Sequence, residues 1–182
     1  MTLRRIFLSH EPVLRQVARP VTRFDDTLQT LIDDMLDTMR AAPGVGLAAP
    51  QVGQSLRLFV AEWPEDEQNP DSLRSYVLAN PVLMWAGEEE AEAEEGCLSV
   101  PGYVGDVWRA TEILVKGRDR YGKKVRIKAT GWLARIFQHE MDHLEGILFI
   151  DRVDSPEKIR PVLPGEEEKA ELEAAGRPTV RA

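Results

Sequence analysis

Five consecutive residues of this sequence, His139-Glu140-Met141-Asp142-His143, carry two imidazoles four positions apart with a carboxylate beside the first. On an α-helix that spacing sets both rings on one face, one turn apart, where they can share a single metal ion. Glu140 projects about 100° around the axis from His139, near enough to the ion's open side to take a proton from a bound water. The chemistry is that of a hydrolytic metal centre with a general base. A buried helix whose histidines merely satisfy hydrogen bonds is the competing account, and it leaves a glutamate in an otherwise apolar helix unexplained. Two of the chain's three histidines lie here; the third, His10, sits in a proline-flanked loop and is given no role.

Two imidazoles leave a tetrahedral site short of one protein ligand if the fourth position is to hold water. A histidine six residues beyond His143 is ruled out, because Phe149 stands there. A downstream glutamate, Glu157 or one of Glu166 to Glu168, would make the site that of a zinc endopeptidase. The other candidate is Cys97, the only cysteine, in the glycine-preceded turn Glu95-Gly96-Cys97-Leu98-Ser99-Val100-Pro101. Its thiolate would complete a Cys-His-His set. A non-catalytic metal-binding or ribosome-associated module would instead close all four positions with protein ligands.

These residues need elements to hold them. From Asp25 to Met39 the apolar residues Leu28, Leu31, Ile32, Met35, Leu36 and Met39 recur at helical spacing, and Pro43-Gly44-Val45-Gly46 stops the helix. Leu56 to Ala61 reads as a strand, Glu62 to Asn69 as an exposed loop, and Ser75 to Ala79 as a second strand that Pro81 to Trp85 extends. The acidic run Glu88 to Glu95 reads as a solvated loop or strand edge with no ligand of its own. Val107 to Lys116 and Lys124 to Ala129 read as two strands of a hairpin turning at Asp119-Arg120-Tyr121-Gly122. A second, largely apolar helix follows Thr130-Gly131, carries the histidine motif and ends at Gly146. The expected fold is α+β, with antiparallel β-strands packed around a central metal-binding helix and the first helix covering the sheet. Residues 1–153 form a single catalytic domain, and 154–182 a polar C-terminal tail, either a short helix or disordered.

Composition narrows the setting. A chain of 182 residues with 43% hydrophobic and 30% charged residues can bury one core without disulfides. A formal charge of -8 and a pI near 5.0 argue against a protein that coats nucleic acid or anionic membrane. No apolar run approaches membrane-spanning length, the short run Ile6-Phe7-Leu8 is too brief for a signal core, and a lone cysteine fits a reducing compartment, so the expectation is the cytoplasm.

Three segments, in this order, resemble the peptide deformylase family: Gly44-Val45-Gly46-Leu47-Ala48-Ala49-Pro50-Gln51, Glu95-Gly96-Cys97-Leu98-Ser99, and Gln138-His139-Glu140-Met141-Asp142-His143-Leu144-Glu145-Gly146. Weaker similarity at Pro12-Val13-Leu14-Arg15-Gln16-Val17-Ala18 extends the resemblance over residues 10 to 151, short of the tail. It implies an enzyme that removes the formyl group from the N-terminal formyl-methionine of nascent proteins. Formate would be released by attack of a metal-bound water activated by Glu140. Cys97, His139 and His143 would hold one divalent ion, Fe(II) or Zn(II), and Gln51 would be an oxyanion donor. The partners implied are N-formyl-methionyl nascent polypeptides, with transient ribosome proximity.

Physical reasons accompany these assignments. Gly44 to Gly46 lets peptide backbone approach closely. The amide N–H of Gln51 and the backbone N–H of Leu98 can both donate to a developing oxyanion. An apolar pocket for the methionine side chain, which the family's specificity implies, has its candidates beside the motifs: Val45, Gly46, Leu98, Trp132 and the aliphatic stem of Arg135. Trp132 and Arg135 precede His139 by whole or near-whole turns, on or near the face that carries the metal ligands.

Overall fold

The computed structural model describes residues 2–65 and 69–163. Among the described residues, eight strands and two α-helices form an α+β fold with two antiparallel sheets. In chain order they are α1 (Asp26–Ala41), β1 (Gly46–Ala48), β2 (Leu58–Pro64), β3 (Leu73–Ala86), β4 (Glu90–Gly96), β5 (Tyr103–Ala110), β6 (Glu112–Arg118), β7 (Lys124–Thr130), α2 (Gly131–Leu144) and β8 (Ile159–Pro161). The five-stranded sheet runs β1-β2-β3-β6-β7 and the three-stranded sheet β4-β5-β8.

Strand alternation decides where the helices lie. In β2, Leu58 and Val60 point to one face and pack with Leu31, Ile32, Met35 and Met39 of α1. Phe59 and Ala61 point to the other face and pack with Ala134, Ile136, Phe137 and Leu144 of α2. The Phe137 ring meets Phe59 and Tyr76 edge-on, with centroids 5.2 and 5.4 Å away. α2 also touches β5 of the second sheet, so the motif helix lies between the sheets and is central, as its apolar composition requires. Asp25 caps α1 by accepting from the Leu28 N–H at 3.3 Å. Gly146, at φ +74°, ends α2, its N–H donating to the His143 carbonyl.

Several boundaries differ from the sequence reading. The segments around 75–79 and 81–85 do run on as one strand, as expected, but that strand, β3, is longer and bent at Asn80, whose φ of 52° is stabilised by paired side-chain hydrogen bonds with the backbone of Val21 at 2.8 Å each. Near it β3 changes partners, pairing with β2 from Leu73 to Ala79 and with β6 from Ala79 to Ala86. The strand expected over Leu56 to Ala61 is β2, which begins at Leu58 and continues through Trp63 and Pro64, paired with Arg74 and Leu73, so the expected loop from Glu62 starts as strand; residues 66–68 lie outside the described residues.

The single strand expected over 107–116 is two strands in different sheets. The chain crosses from one sheet to the other at Thr111, whose carbonyl accepts from Gly131 N–H at 2.9 Å. No glycine or proline marks that crossing in the sequence.

The acidic run is largely strand β4 rather than loop. β8 pairs with β5 in the register Tyr103↔Pro161, Val104↔Arg160 and Gly105↔Ile159. Residues 159–161 of the expected tail therefore belong to the sheet, and the tail from 164 onward lies outside the described residues. Among the described residues, no helix is long and apolar enough to cross a membrane.

Candidate active site

The helix and the two loops that the sequence singled out converge at one point. α2 presents His139 and His143 one turn apart, their rings 5.0 Å between centroids, and the turn after β4 brings Cys97 to them. The ligand atoms of Cys97, His139 and His143 all lie within 4.8 Å of one another, with Cys97 Sγ 3.3 Å from His143 Nε2. Among the described residues they form the one such cluster of three or more potential ligands. Glu157 is exposed and outside it, and Glu166 to Glu168 lie outside the described residues.

One thiolate and two imidazoles form a donor set that suits zinc or iron(II). Electrostatics agrees with a cation at their centre. Burial, helped by the neighbouring His139, lowers the pKa of His143 well below its ordinary value, leaving a neutral imidazole with a lone pair to donate. Burial opposes a proton on His139 as well, yet hydrogen bonds to Cys97 and Glu95 outweigh it and carry that group well above the ordinary range. The surroundings of His139 therefore favour positive charge. The residues fit the ion.

Glu140 is buried beside the cluster, and its Oε2 has no hydrogen-bond partner among the described residues. Burial raises its pKa to about 7, which suits a group that must both accept and return a proton near neutrality. Its place is set by Gly46 of β1: a Cβ at that position would lie 2.3 Å from Glu140 Oε1. The glycine that the sequence reading assigned to substrate approach thus also makes room for the carboxylate.

Gln51 follows β1 in a short turn and is 2% exposed. Its Oε1 accepts from Ala48 N–H at 2.8 Å, which fixes the amide so that Nε2 points at Ser99 Oγ, 3.2 Å away, and at Cys97 Sγ, 3.5 Å away. The backbone N–H of Leu98 donates to no group among the described residues. Gln51 Nε2 therefore borders the sulfur, and the Leu98 N–H, on the residue next to Cys97, is left free to donate.

Val45, Gly46, Leu98, Trp132 and Arg135 all line one cleft of about 680 Å³ that also contains Cys97, His139 and Glu140. Glu94, Trp132 and Arg135 also line a smaller cleft of about 470 Å³. Arg135 does more than offer an aliphatic stem. Its buried guanidinium donates to Glu95 Oε1 and to the Val107 and Ala91 carbonyls, at 2.8, 2.8 and 2.6 Å.

Glu95 corrects the reading of the acidic run as solvated. Its carboxylate is buried, accepts from Arg109 at 2.9 and 3.0 Å and from Arg135, and lies 2.9 Å from His139 Nδ1. Burial alone would raise its pKa, but His139 and Arg109 lower it to about 2. Arg109 continues to Asp142 at 2.6 Å, which Arg152 also contacts. The signal was in the alternation of Glu90-Ala91-Glu92-Ala93-Glu94: in a strand Glu95 shares the face of Ala91 and Ala93, opposite Glu92 and Glu94.

Comparison with known proteins finds relatives in both sequence and structure. A family model described as polypeptide deformylase matches residues 3–159. The peptide deformylase of Dehalococcoides mccartyi (strain BAV1) is 46% identical over 172 residues, 94% of this chain and 99% of that protein. The peptide deformylase of Symbiobacterium thermophilum is 50% identical over 175 residues, 96% of this chain and 76% of that protein. The crystal structure of the Thermotoga maritima peptide deformylase superposes with a TM-score of 0.78 at 42% identity, covering 85% of this chain and 100% of that one.

Proposed function

The chain belongs to the polypeptide deformylase family, and from that premise we propose how its own residues divide the reaction among them. The activity is hydrolytic removal of the formyl group from the N-terminal formyl-methionine of nascent proteins, with a single Fe(II) or Zn(II) ion as cofactor. Cys97, His139 and His143 hold the ion. When bound, it supplies Lewis acidity, which acidifies water and polarises the formyl carbonyl.

Glu140 accepts a proton from the attacking water as the new C–O bond forms at the formyl carbon. Gln51 Nε2–H and the Leu98 N–H donate to the oxygen that gains charge. The C–N bond then breaks, Glu140 returns the proton to the leaving amine, and formate departs with one oxygen from the formyl group and one from water, the water's second proton passing to solvent. Val45, Gly46, Leu98, Trp132 and the stem of Arg135 enclose the methionine side chain. Because the substrate is a nascent formyl-methionyl chain, the reading includes a cytoplasmic location and transient proximity to the ribosome.

The observation that carries this reading is the meeting of three potential ligands within 4.8 Å beside a buried carboxylate with one unpartnered oxygen. The test measures metal stoichiometry and formate release from formyl-Met-Ala on the same preparation, for the wild type and for Cys97→Ser. The wild type should hold one ion and release formate. The serine variant should lose most of both, since a hydroxyl is a poor ligand where a thiolate stood. Full metal occupancy and turnover in the variant would remove Cys97 from the site.

A further inference from the structure

The family motifs account for one side of the cleft and leave another unassigned. The methionine side chain takes Val45, Trp132 and Arg135, while the wall that leads away from Cys97 is built by Val100, Pro101, Gly102 and Tyr103 and is closed by Val162. Val162 comes from the far end of the described chain. β8 delivers it: Pro161 pairs with Tyr103, and the Val162 N–H donates to the Gly102 carbonyl at 3.0 Å.

This attachment is built into the sheet. Ile159 packs over Gly105, where a Cβ would come within 3.2 Å of Phe149 and 3.5 Å of Ile159 itself. Arg160 reaches Glu94 at 2.5 Å and Lys158 pairs with Glu92, so two cations of the β8 segment neutralise two carboxylates of β4. Directly after the strand, Val162 sets an aliphatic side chain, half-buried, among the residues lining the cleft.

We propose that Val162 is a specificity-determining residue, an apolar contact for the side chains that follow formyl-methionine in the substrate. The assignment rests on the deformylase reading above. The formyl carbon must reach Cys97, His139 and Glu140, and the methionine pocket lies on the side of Val45 and Trp132. The wall from Val100 to Tyr103 and Val162 is then left for the downstream residues. That wall is mostly aliphatic and aromatic, so it favours apolar side chains over acidic ones.

The test uses the full chain with its metal and compares the wild type, Val162→Ala and Val162→Asp on formyl-Met-Ala, formyl-Met-Leu-Leu and formyl-Met-Asp-Asp. The wild type should prefer the leucine substrate. Val162→Asp should cut the kcat/KM ratio of leucine to aspartate substrate by about ten-fold through KM, with Val162→Ala between. Metal content and kcat should not change, because Val162 is not among the residues of the metal cluster. An unchanged ratio in both variants, or an equal loss on all three substrates, would overturn the role of Val162. Absence of formate release from the wild type on every substrate would instead overturn the deformylase reading.

Discussion

Glu95 Oε2 lies 2.9 Å from His139 Nδ1, which leaves the opposite ring nitrogen of His139 to face Cys97 and His143. A carboxylate behind a ligating imidazole fixes its tautomer, holds the ring in place and raises its basicity. The same carboxylate is the partner of Arg109 and Arg135, so one residue links the ligand helix to β5.

Glu95→Gln keeps the size of the side chain and removes its charge. Metal affinity measured by chelator competition should fall by about 10- to 100-fold. The folded state should lose about 3–5 kcal/mol in denaturant titration, because Arg109 and Arg135 would remain buried without their common anion. An unchanged metal affinity would show that Glu95 serves the fold alone.

Gly46→Ala tests how Glu140 is placed. The added methyl would fall 2.3 Å from Glu140 Oε1, so the carboxylate must move. A displacement of about 1 Å in a reacting group can cost about 10²-fold, and kcat should fall by that order while Cys97, His139 and His143 keep their metal. Normal kcat would mean that Glu140 reaches its working position with a side chain at residue 46.

Much of the site was legible because it is local. His139, Glu140 and His143 follow from helical periodicity alone, and α1 and the β6–β7 hairpin follow from apolar spacing and a turn sequence. What joins Cys97 to Gln51 and to α2 is tertiary, and the family motifs supplied it where spacing could not. Glu95 was hidden among five other glutamates whose charge suggested solvent, although strand alternation separates it from Glu92 and Glu94. The crossing at Thr111 was illegible because no glycine or proline marks it and strand-forming residues stand on both sides of Arg109-Ala110-Thr111-Glu112. The place of Val162 depends on a three-residue strand whose pairing is set by Tyr103 to Gly105, far away in sequence.

Asp34 gives the stability its own pH dependence. Its buried carboxylate accepts from the Thr2 N–H at 3.0 Å and from Arg4 Nε at 3.1 Å; the backbone hydrogen bond foremost, with Arg4, holds its pKa below the ordinary value against the effect of burial. A depressed folded-state pKa means that protonation favours the unfolded chain. The contribution is therefore complete above the unfolded value of about 4 and is lost as pH falls through the lower folded value. Urea midpoints of the wild type and Asp34→Asn should differ at pH 7 and converge below about pH 4. Parallel curves across that range would show that the charge of Asp34 adds nothing.

Glu140→Gln separates catalysis from metal binding. Glutamine has the size of glutamate and can stay over Gly46, but its amide cannot accept a proton from water. The substitution touches none of the three ligands, and because Glu140 Oε2 has no hydrogen-bond partner, no hydrogen bond at that atom is lost. Metal content and folding should therefore match the wild type, and KM should change little. General-base catalysis contributes about 10²- to 10⁴-fold, so kcat should fall by at least about 10²-fold. Removing a group with a pKa near 7 should also remove its ionisation from the acid limb of the kcat/KM profile, so the residual activity should vary less with pH there. Formate release near the wild-type rate, with metal bound, would mean that another group takes the proton and that the buried carboxylate of Glu140 has a different purpose.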